Sequence, residues 1–424
     1  MYNFRCPICE SNDQWENVDE HRYKPHDMCI CKKCSFITYP KVNKEELKKY
    51  YEKDYRHPPT SPLLHSGNLK LHYHNYFLKD HFDDFNKKEE FNVCDVGAAY
   101  GIFLDWFKRI VPKSNLYGTE LTLSYRRNAY HEFGINLTKE IDASIKYDLI
   151  SLYHVAEHLT DIDLELKKYN FLLKEDGILY IAVPVWFEHI NNGTEKDNDL
   201  EYMYHKDHVN VWSRELFESL LFKCGFEIIK SNHIIYGSTY LCKKGKFKKV
   251  DSHIDYKNII EKMKLIKESN KAFMDQNFEK AFNLWPNFPA AYQNYYEMNR
   301  KKFHELGFEK IEELLNKALS NCSTNGKVEL FAADIYMRYE KYEEAIKILD
   351  SFLEKIPNNV TALVALSQCF RLIAENEKNN ENKIKLLKRS RDILRFTKTC
   401  TLQGHDELYN WMYRDNANIP SPKE

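Results

Sequence analysis

The chain has 424 residues, with 62 Lys and Arg against 63 Asp and Glu, so charge gives no whole-chain reason to bind nucleic acid or an anionic membrane surface. That length suits two to four domains, each able to bury a core, and no apolar run approaches the roughly 20 residues of a membrane span. The opening MYNFRCPICE lacks the apolar core of an export signal, and 11 cysteines, an odd number, then point to a reducing compartment, the cytoplasm, with metal ligands or buried thiols in place of disulfides.

Residues 1–40 carry Cys6-x2-Cys9 and Cys31-x2-Cys34. Two such knuckles about 20 residues apart suit a structural zinc site of four thiolates, with no position left open for substrate. Cys29 is a nearby alternative to Cys31, although Cys31 gives the better spacing, and His21 and His26 lie between the knuckles. Residues 41–90 read as helical in two runs, VNKEELKKYYEKDY and LLHSGNLKLHYHNYFLKDHFDDF, separated by the proline-bearing loop RHPPTSP. Tyr50, Tyr51, Tyr55, His72, His74 and Tyr76 are interleaved there, either lining a pocket or packing helices.

From 91 to 248 strands and helices alternate, which implies a parallel sheet covered on both faces. A strand at Phe91–Cys94 closes on Asp95, turns through Gly97 and Gly101, and enters a helix at Ile102–Ile110. A strand at 115–119 ends in Glu120, and a helix covers Tyr125–Phe133. A short strand is expected at Ile135–Leu137, another at Leu149–Tyr153, then a helix at Asp161–Leu173 and the strand ILYIAVP. SRELFESLLFKCGF reads as a helix capped by Ser213 and stopped by Gly225. FEIIKSN and STYLCKK then form an antiparallel pair at the sheet edge.

Strand, glycine turn and helix, followed by an acid about 20 residues on, bring backbone N–H groups to a nucleotide-like ligand and a carboxylate to its ribose. These pieces resemble the class I S-adenosylmethionine (SAM) dependent methyltransferases, whose fold is Rossmann-like. The resemblance implies SAM as cofactor, held by Asp95, Gly97, Ala98, Ala99, Tyr100, Gly101, Glu120, Leu121, Tyr153 and His154. In the family pattern D-x-G-x-G-x-G the middle glycine is here Ala99, an extra methyl where backbone and cofactor approach closely. Nicotinamide-binding folds share the turn, but the final helix and hairpin match the ending of a methyltransferase sheet. A zinc ribbon ahead of this domain also resembles the sugar C- and O-methyltransferases of deoxysugar and surface-polysaccharide pathways.

For methyl transfer to an acceptor hydroxyl or carbon acid, the protein must align the acceptor and remove a proton. The candidate catalytic residues are His154, Glu157 and His158, at i, i+3 and i+4 and so on one face of a helical turn, with His205 and His208 in a cluster that includes Tyr202, Tyr204 and Asp207. H-x-x-E-H resembles the E-x-x-E-H of divalent-metal-dependent O-methyltransferases of small-RNA 3′ ends and of the ubiquinone pathway. V-x-E-H also occurs in methyltransferases that need no metal. Both readings stay open, as does a general-base role for His205 or His208, whose pKa range suits it.

From 253 to 415 the pattern is helical only. MRYEKYEEAIKILDSFLEKIPNNVTALVALSQCF resembles a tetratricopeptide unit, with Tyr342, Ala345 and Leu349 on one face. Breaks near Pro286, Cys322 and Pro357 lie 36 and 35 residues apart, close to the 34-residue period, and give one full and two degenerate units of a short solenoid. It serves as an added structural layer, a homodimer surface or a groove for a protein partner. The leading expectation is a methyltransferase acting on O or C of a small polar, sugar-like metabolite. The alternatives are a degenerate SAM-fold interaction protein, to which Ala99 points, and a methyltransferase of RNA or protein, with the neutral charge counting against RNA.

Overall fold

The structure is a computed structural model that describes residues 4–12, 14–20, 27–39, 42, 44–53, 74–75, 77–185, 208–232, 238–246, 256–322, 326–355 and 359–400. The chain divides into two compact units, Met1–Asn270 and Lys271–Glu424.

The first unit holds two sheets. The smaller has strands β1 (Trp15–Glu20), β2 (Asp27–Cys31), β3 (Ile37–Thr38) and β8 (Asn210–Val211) in that order, all antiparallel. The larger has β4 (Phe91–Val96), β5 (Ser114–Thr119), β6 (Tyr147–Tyr153), β7 (Leu173–Val183), β9 (Phe226–Asn232) and β10 (Ser238–Lys244), ordered β5-β4-β6-β7-β10-β9. The first four of that order run parallel, and β10 is antiparallel to both neighbours.

Strands buried on both faces are apolar at nearly every position, and β6 and the second half of β7 read so. Successive side chains serve opposite cores. Val93, Leu149, Ile178 and Tyr180 pack toward α2 (Phe82–Lys87), α3 (Ile102–Ile110) and α4 (Leu123–Phe133). Cys94, Ile150, Leu179 and Ile181 pack toward α5 (Ile162–Leu172) and α6 (Arg214–Lys223). Ser213 caps α6 as its sequence position suggests, its side chain accepting from the Leu216 amide at 3.3 Å.

Three expectations need correction. Ile135 and Leu137 are buried, but the segment makes only one bridge, Thr119 to Thr138, and no strand; its side chains fill space under β5 without a ladder. The second helical run before β4 is not continuous where it is described, since a 3-10 turn at Lys79–His81 precedes α2. β7 also starts earlier than read, at Leu173, because the polar residues 174–176 are carried through as strand and Lys174 pairs with Asp148 of β6 at 2.7 Å. Tyr55, His72, Tyr76 and the RHPPTSP loop lie outside the described residues.

Among its described residues the second unit has helices and no strands. After α7 (Tyr256–Met274), which crosses the division, come α8 (Phe278–Leu284), α9 (Pro289–Met298), α10 (Arg300–Leu306), α11 (Phe308–Cys322), α12 (Lys327–Arg338), α13 (Tyr342–Lys355), α14 (Val360–Asn376) and α15 (Asn380–Cys400). Asn359 caps α14 by accepting from the Ala362 amide at 2.9 Å. Ala345, Leu349 and Phe352 of α13 are buried, as are Ala362, Leu366 and Phe370 of α14. Where α14 meets α15, small residues let the backbones close in, and the Ser367 and Ser390 hydroxyls meet at 2.8 Å. No helix among the described residues is long and apolar enough to cross a membrane.

At the amino ends of the parallel strands, Asp148 ties three of them together. Its carboxylate accepts from the Asn92 amide of β4 at 2.8 Å, from Lys88 at 2.7 Å and from Lys174 of β7 at 2.7 Å, and the residue is 2% exposed. Removing a buried charge that satisfies several partners is costly. Asp148→Asn should lower the unfolding free energy by about 2–3 kcal/mol in urea titration.

Candidate functional site

In an open parallel sheet, ligands bind outside the carboxyl ends of the strands where the order reverses. Here β5 lies on one side of β4 and β6 on the other, so the reversal falls at the ends of β4 and β6, at Gly97 and His154.

The turn after β4 is built from left-handed backbone. Gly97 has φ +71°, Ala99 +47° and Gly101 +76°. A Cβ on Gly97 would stand 2.6 Å from Val155 Cγ2, so glycine is needed for both conformation and space. Ala99 holds a conformation that costs an L-residue about 1–2 kcal/mol. The turn is pinned by the Ala98 amide donating to the Thr119 carbonyl at 2.8 Å. Gly101 opens α3, and Tyr100 is buried against Tyr125 with ring centroids 4.4 Å apart.

Glu120 reaches back across the turn. One carboxylate oxygen accepts from the Ala99 amide at 3.0 Å, the other from the Thr122 amide at 2.8 Å. Each oxygen keeps a lone pair, so the acid can still accept from a ribose diol. Burial raises its pKa, against the Thr122 and Ala99 hydrogen bonds, which lower it. The Leu121 carbonyl, with that of Glu120, accepts from Arg126, each at 2.7 Å, which fixes the start of α4.

Asp95 faces Ser151 across the β4–β6 pairing, and the Ser151 hydroxyl donates to its carboxylate. Burial pushes the Asp95 carboxyl up to about 7; the serine bond lowers it and the charge of Glu120 raises it.

On the other side of the crevice, Tyr153 ends β6 half-buried and His154 follows with φ +57°. The one-face helical reading of His154, Glu157 and His158 is therefore corrected: His154 lies outside the helical turn, and only Ala156–His158 forms one, a 3-10 turn. The left-handed residue redirects the chain instead, and its amide donates to Ala182 at 2.9 Å. The side chains still converge, with His154 Nδ1 at 3.4 Å and His158 Nε2 at 3.8 Å from Glu157 Oε1. His208 joins them, its ring centroid 4.9 Å from that of His158. His205, Tyr202, Tyr204 and Asp207 lie outside the described residues.

Helix α1 (Lys44–Lys53) connects the two sides. The Tyr51 carbonyl accepts from the Thr122 hydroxyl at 2.8 Å, and the Tyr51 hydroxyl meets His158 Nδ1 at 2.8 Å. Sequence reading gave Tyr51 no role beyond a set of aromatics and missed Thr122 and Ser151 altogether. Thr122 had one available signal, its place two residues after the acid.

The four knuckle cysteines also come together. Cys6 Sγ lies 3.6 Å from Cys34 Sγ, and Cys9 Sγ 3.5 Å from Cys31 Sγ. Four sulfurs at about 2.3 Å from a tetrahedral zinc stand about 3.8 Å apart, so this set fits the ion. Hydrogen bonding among the sulfurs drives the Cys9 thiol down and takes Cys31 down to about 6, while Cys6 and Cys34 move up. Cys29 is buried on β2 outside the cluster, which takes in Cys31 in its place. His21 and His26 lie outside the described residues.

Residues 71–231 match the family described as a methyltransferase domain. The chain carries a methyltransferase domain. Similar solved structures include a SAM-dependent methyltransferase from Clostridium acetobutylicum, 14% identical, covering 43% of this chain and 100% of that one, TM-score 0.30. A plantazolicin methyltransferase in complex with S-adenosylhomocysteine is 14% identical over 47% of this chain and 94% of its own, TM-score 0.37. A SAM-bound amino pentose methyltransferase from Micromonospora echinaspora is 13% identical over 41% and 91%, TM-score 0.32. No curated protein matches the chain.

The acid at the end of β4 gives the methyltransferase domain a pH signature. With a folded pKa of about 7 against about 3.9 unfolded, Asp95 binds more protons folded than unfolded between those values, so its contribution falls as pH rises. Asp95→Asn keeps an acceptor for Ser151. Without cofactor, it should gain about 1–3 kcal/mol relative to wild type between about pH 5 and about pH 8 in paired denaturation curves. A constant difference would show that Asp95 does not titrate in that window.

Proposed function

We propose that this methyltransferase uses SAM and transfers the methyl group to O or C of a small polar, sugar-like metabolite. The observation that carries the reading is the bridge from the Glu120 carboxylate to the Ala99 amide across the left-handed turn. It sets an acid beside the glycine turn at the carboxyl edge of the sheet, where a carboxylate can accept from a ribose diol. Asp95, Gly97, Ala98, Tyr100, Gly101, Leu121, Tyr153 and His154 complete the proposed cofactor contacts.

Bound SAM supplies an electrophilic methyl group on a sulfonium. The residues supply position and proton handling. Glu120 accepts from the ribose hydroxyls. Gly97 lets the backbone approach. His154, Glu157, His158 and His208 form the acceptor side, where an imidazole or carboxylate takes the acceptor proton or orients its oxygen, and His205 is a further candidate base from the sequence alone. The sugar-like acceptor rests on the sequence resemblance of a zinc ribbon followed by this domain.

We place one structural zinc at Cys6, Cys9, Cys31 and Cys34. The spacing of helices in the second unit supports a tetratricopeptide-like region over part of 253–415. Phe308 of α11 to Tyr342 of α13 is 34 residues, and Lys327 of α12 to Val360 of α14 is 33. Its role is structural or oligomeric. A reducing compartment such as the cytoplasm is our proposed location, where cysteines serve as zinc ligands or buried thiols. The domain limits we propose are 1–40, 41–90, 91–248 and 253–415.

SAM or S-adenosylhomocysteine should raise the melting temperature of the full chain. Glu120→Ala should weaken SAM binding by at least tenfold in calorimetry; near-wild-type affinity refutes the ribose role. Elemental analysis should find one zinc per chain, and Cys34→Ser should lose it.

A further inference from the structure

His208, Val209 and Asn210 run between the smaller sheet and the turn after β6, and they are buried, at 6%, 3% and 3% exposed. On the turn side, the Val209 amide donates to the Glu157 carbonyl at 2.8 Å. The Asn210 side-chain amide donates to the Leu159 carbonyl at 2.7 Å and to the Ala156 carbonyl at 3.4 Å. A three-residue 3-10 turn makes few hydrogen bonds of its own, so its shape leans on such outside donors. On the sheet side, the Val209 carbonyl accepts from the Thr38 hydroxyl at 3.0 Å and from the Tyr39 amide at 3.2 Å. β3 also pairs Ile37 with Val211 and Thr38 with Asn210. Held from both sides, His208 stands with its ring centroid 4.9 Å from that of His158, the planes at 72°.

Strand β3 has only 2 residues, too few to fix its own position. The second cysteine knuckle leads straight into it. There the Cys31 amide donates to the Phe36 carbonyl at 2.8 Å and the Ser35 amide to the Cys31 carbonyl at 2.7 Å. Ser35 lies between them in left-handed backbone, with φ +65°. A non-glycine residue keeps that conformation only where its surroundings over-determine it, which marks the knuckle as rigid. β2 adds pairing of Cys29 with Thr38 and of Ile30 with Ile37.

We propose that Thr38 and Asn210 are positioning residues for the acceptor side. Together they set His208 against His158, and the Cys31–Cys34 knuckle is the fixed base from which they act. The cysteine-bearing segment thereby shapes the site that receives the acceptor as well as holding its own fold. The chemistry suits the task, since a hydroxyl and a primary amide donate to backbone carbonyls without bringing a charge into a buried place. Their hydrogen bonds go to Val209, Ala156 and Leu159, none of them in the proposed cofactor set. The acceptor role rests on the methyl-transfer reading; the link from knuckle to histidines does not.

The test is the Cε1–H nuclear magnetic resonance signal of each histidine in the zinc-loaded full chain, grown with isotope-labelled histidine. His158 and His208 are assigned from the signals lost in His158→Gln and His208→Gln. Thr38→Val keeps the side-chain shape and removes the donor; Asn210→Asp keeps the shape and replaces both N–H donors with an acceptor oxygen. In each variant the His158 and His208 signals should shift while those of His81 and His131 stay in place. Zinc withdrawal by a chelator should move the same two signals and zinc return should restore them; signals unmoved by withdrawal overturn the part given to the knuckle. A lower melting temperature with His158 and His208 unmoved is what a merely structural role gives, and it overturns the proposal. Should Asn210→Asp or the zinc-free chain not fold, Thr38→Val decides: shifted signals support the proposal and unmoved signals overturn it. S-adenosylhomocysteine binding is followed by calorimetry in parallel. Shifted signals in a chain that does not bind it sink the methyl-transfer reading alone; binding with unmoved signals sinks the positioning alone.

Discussion

The Glu120 carboxylate bridges two backbone amides, Ala99 in the turn after β4 and Thr122 at the start of α4, and the carboxyl edge of the sheet depends on that bridge. It closes a turn held in left-handed backbone at Gly97, Ala99 and Gly101, where a chain free of such ties would relax. It also fixes Thr122, whose hydroxyl holds the Tyr51 carbonyl. Tyr51 then places its own hydroxyl on His158. One run of hydrogen bonds therefore joins the Glu120 side of the crevice with the His158 side.

The same run continues into the cysteine-bearing segment. Glu157 meets Val209 through backbone, Val209 meets Thr38 and Tyr39, and β3 pairs with β8. Side chains strengthen the join. Phe36 stacks near Trp212 with centroids 6.2 Å apart, Arg5 pairs with the buried Asp163 of α5 at 3.0 Å, and Lys223 of α6 donates to the Pro7 and Ile8 carbonyls at 2.8 and 3.1 Å. Cys6, Cys31 and Cys34 share one apolar core with α5 and α6. The knuckles are thus built into the first unit, tied through β3 and Val209 to the turn that carries Glu157 and His158.

The second unit follows a simpler rule. Its helices are amphipathic and bury small and aliphatic side chains at helical spacing, with Ala345 and Leu349 on α13 and Ala362 and Leu366 on α14. Contacts between helices adjacent in sequence suffice for such a stack.

Local chemistry made the sheet strands, the glycine turn, the capped helix after Ser213 and the paired cysteines legible from the sequence, since each depends on residue spacing over short stretches. Spacing also placed Glu120 after the turn and favoured Cys31 over Cys29. It failed where partners lie far apart in the chain. Ile135–Leu137 has the composition of a strand, but the structure gives it one bridge and no ladder. His154 has helical spacing to Glu157, yet its backbone lies in the left-handed region. The meeting of Tyr51, His158 and His208, the pairing of Asp95 with Ser151, and the joining of β3 to β8 span 50 to 174 residues of sequence, distances over which only packing decides what touches what. The sequence by itself determined most elements of the larger sheet and the identities of the charged and sulfur-bearing groups; the tertiary structure alone decided the smaller sheet and which groups share a site, because those choices are made by burial and backbone pairing between segments distant in the chain.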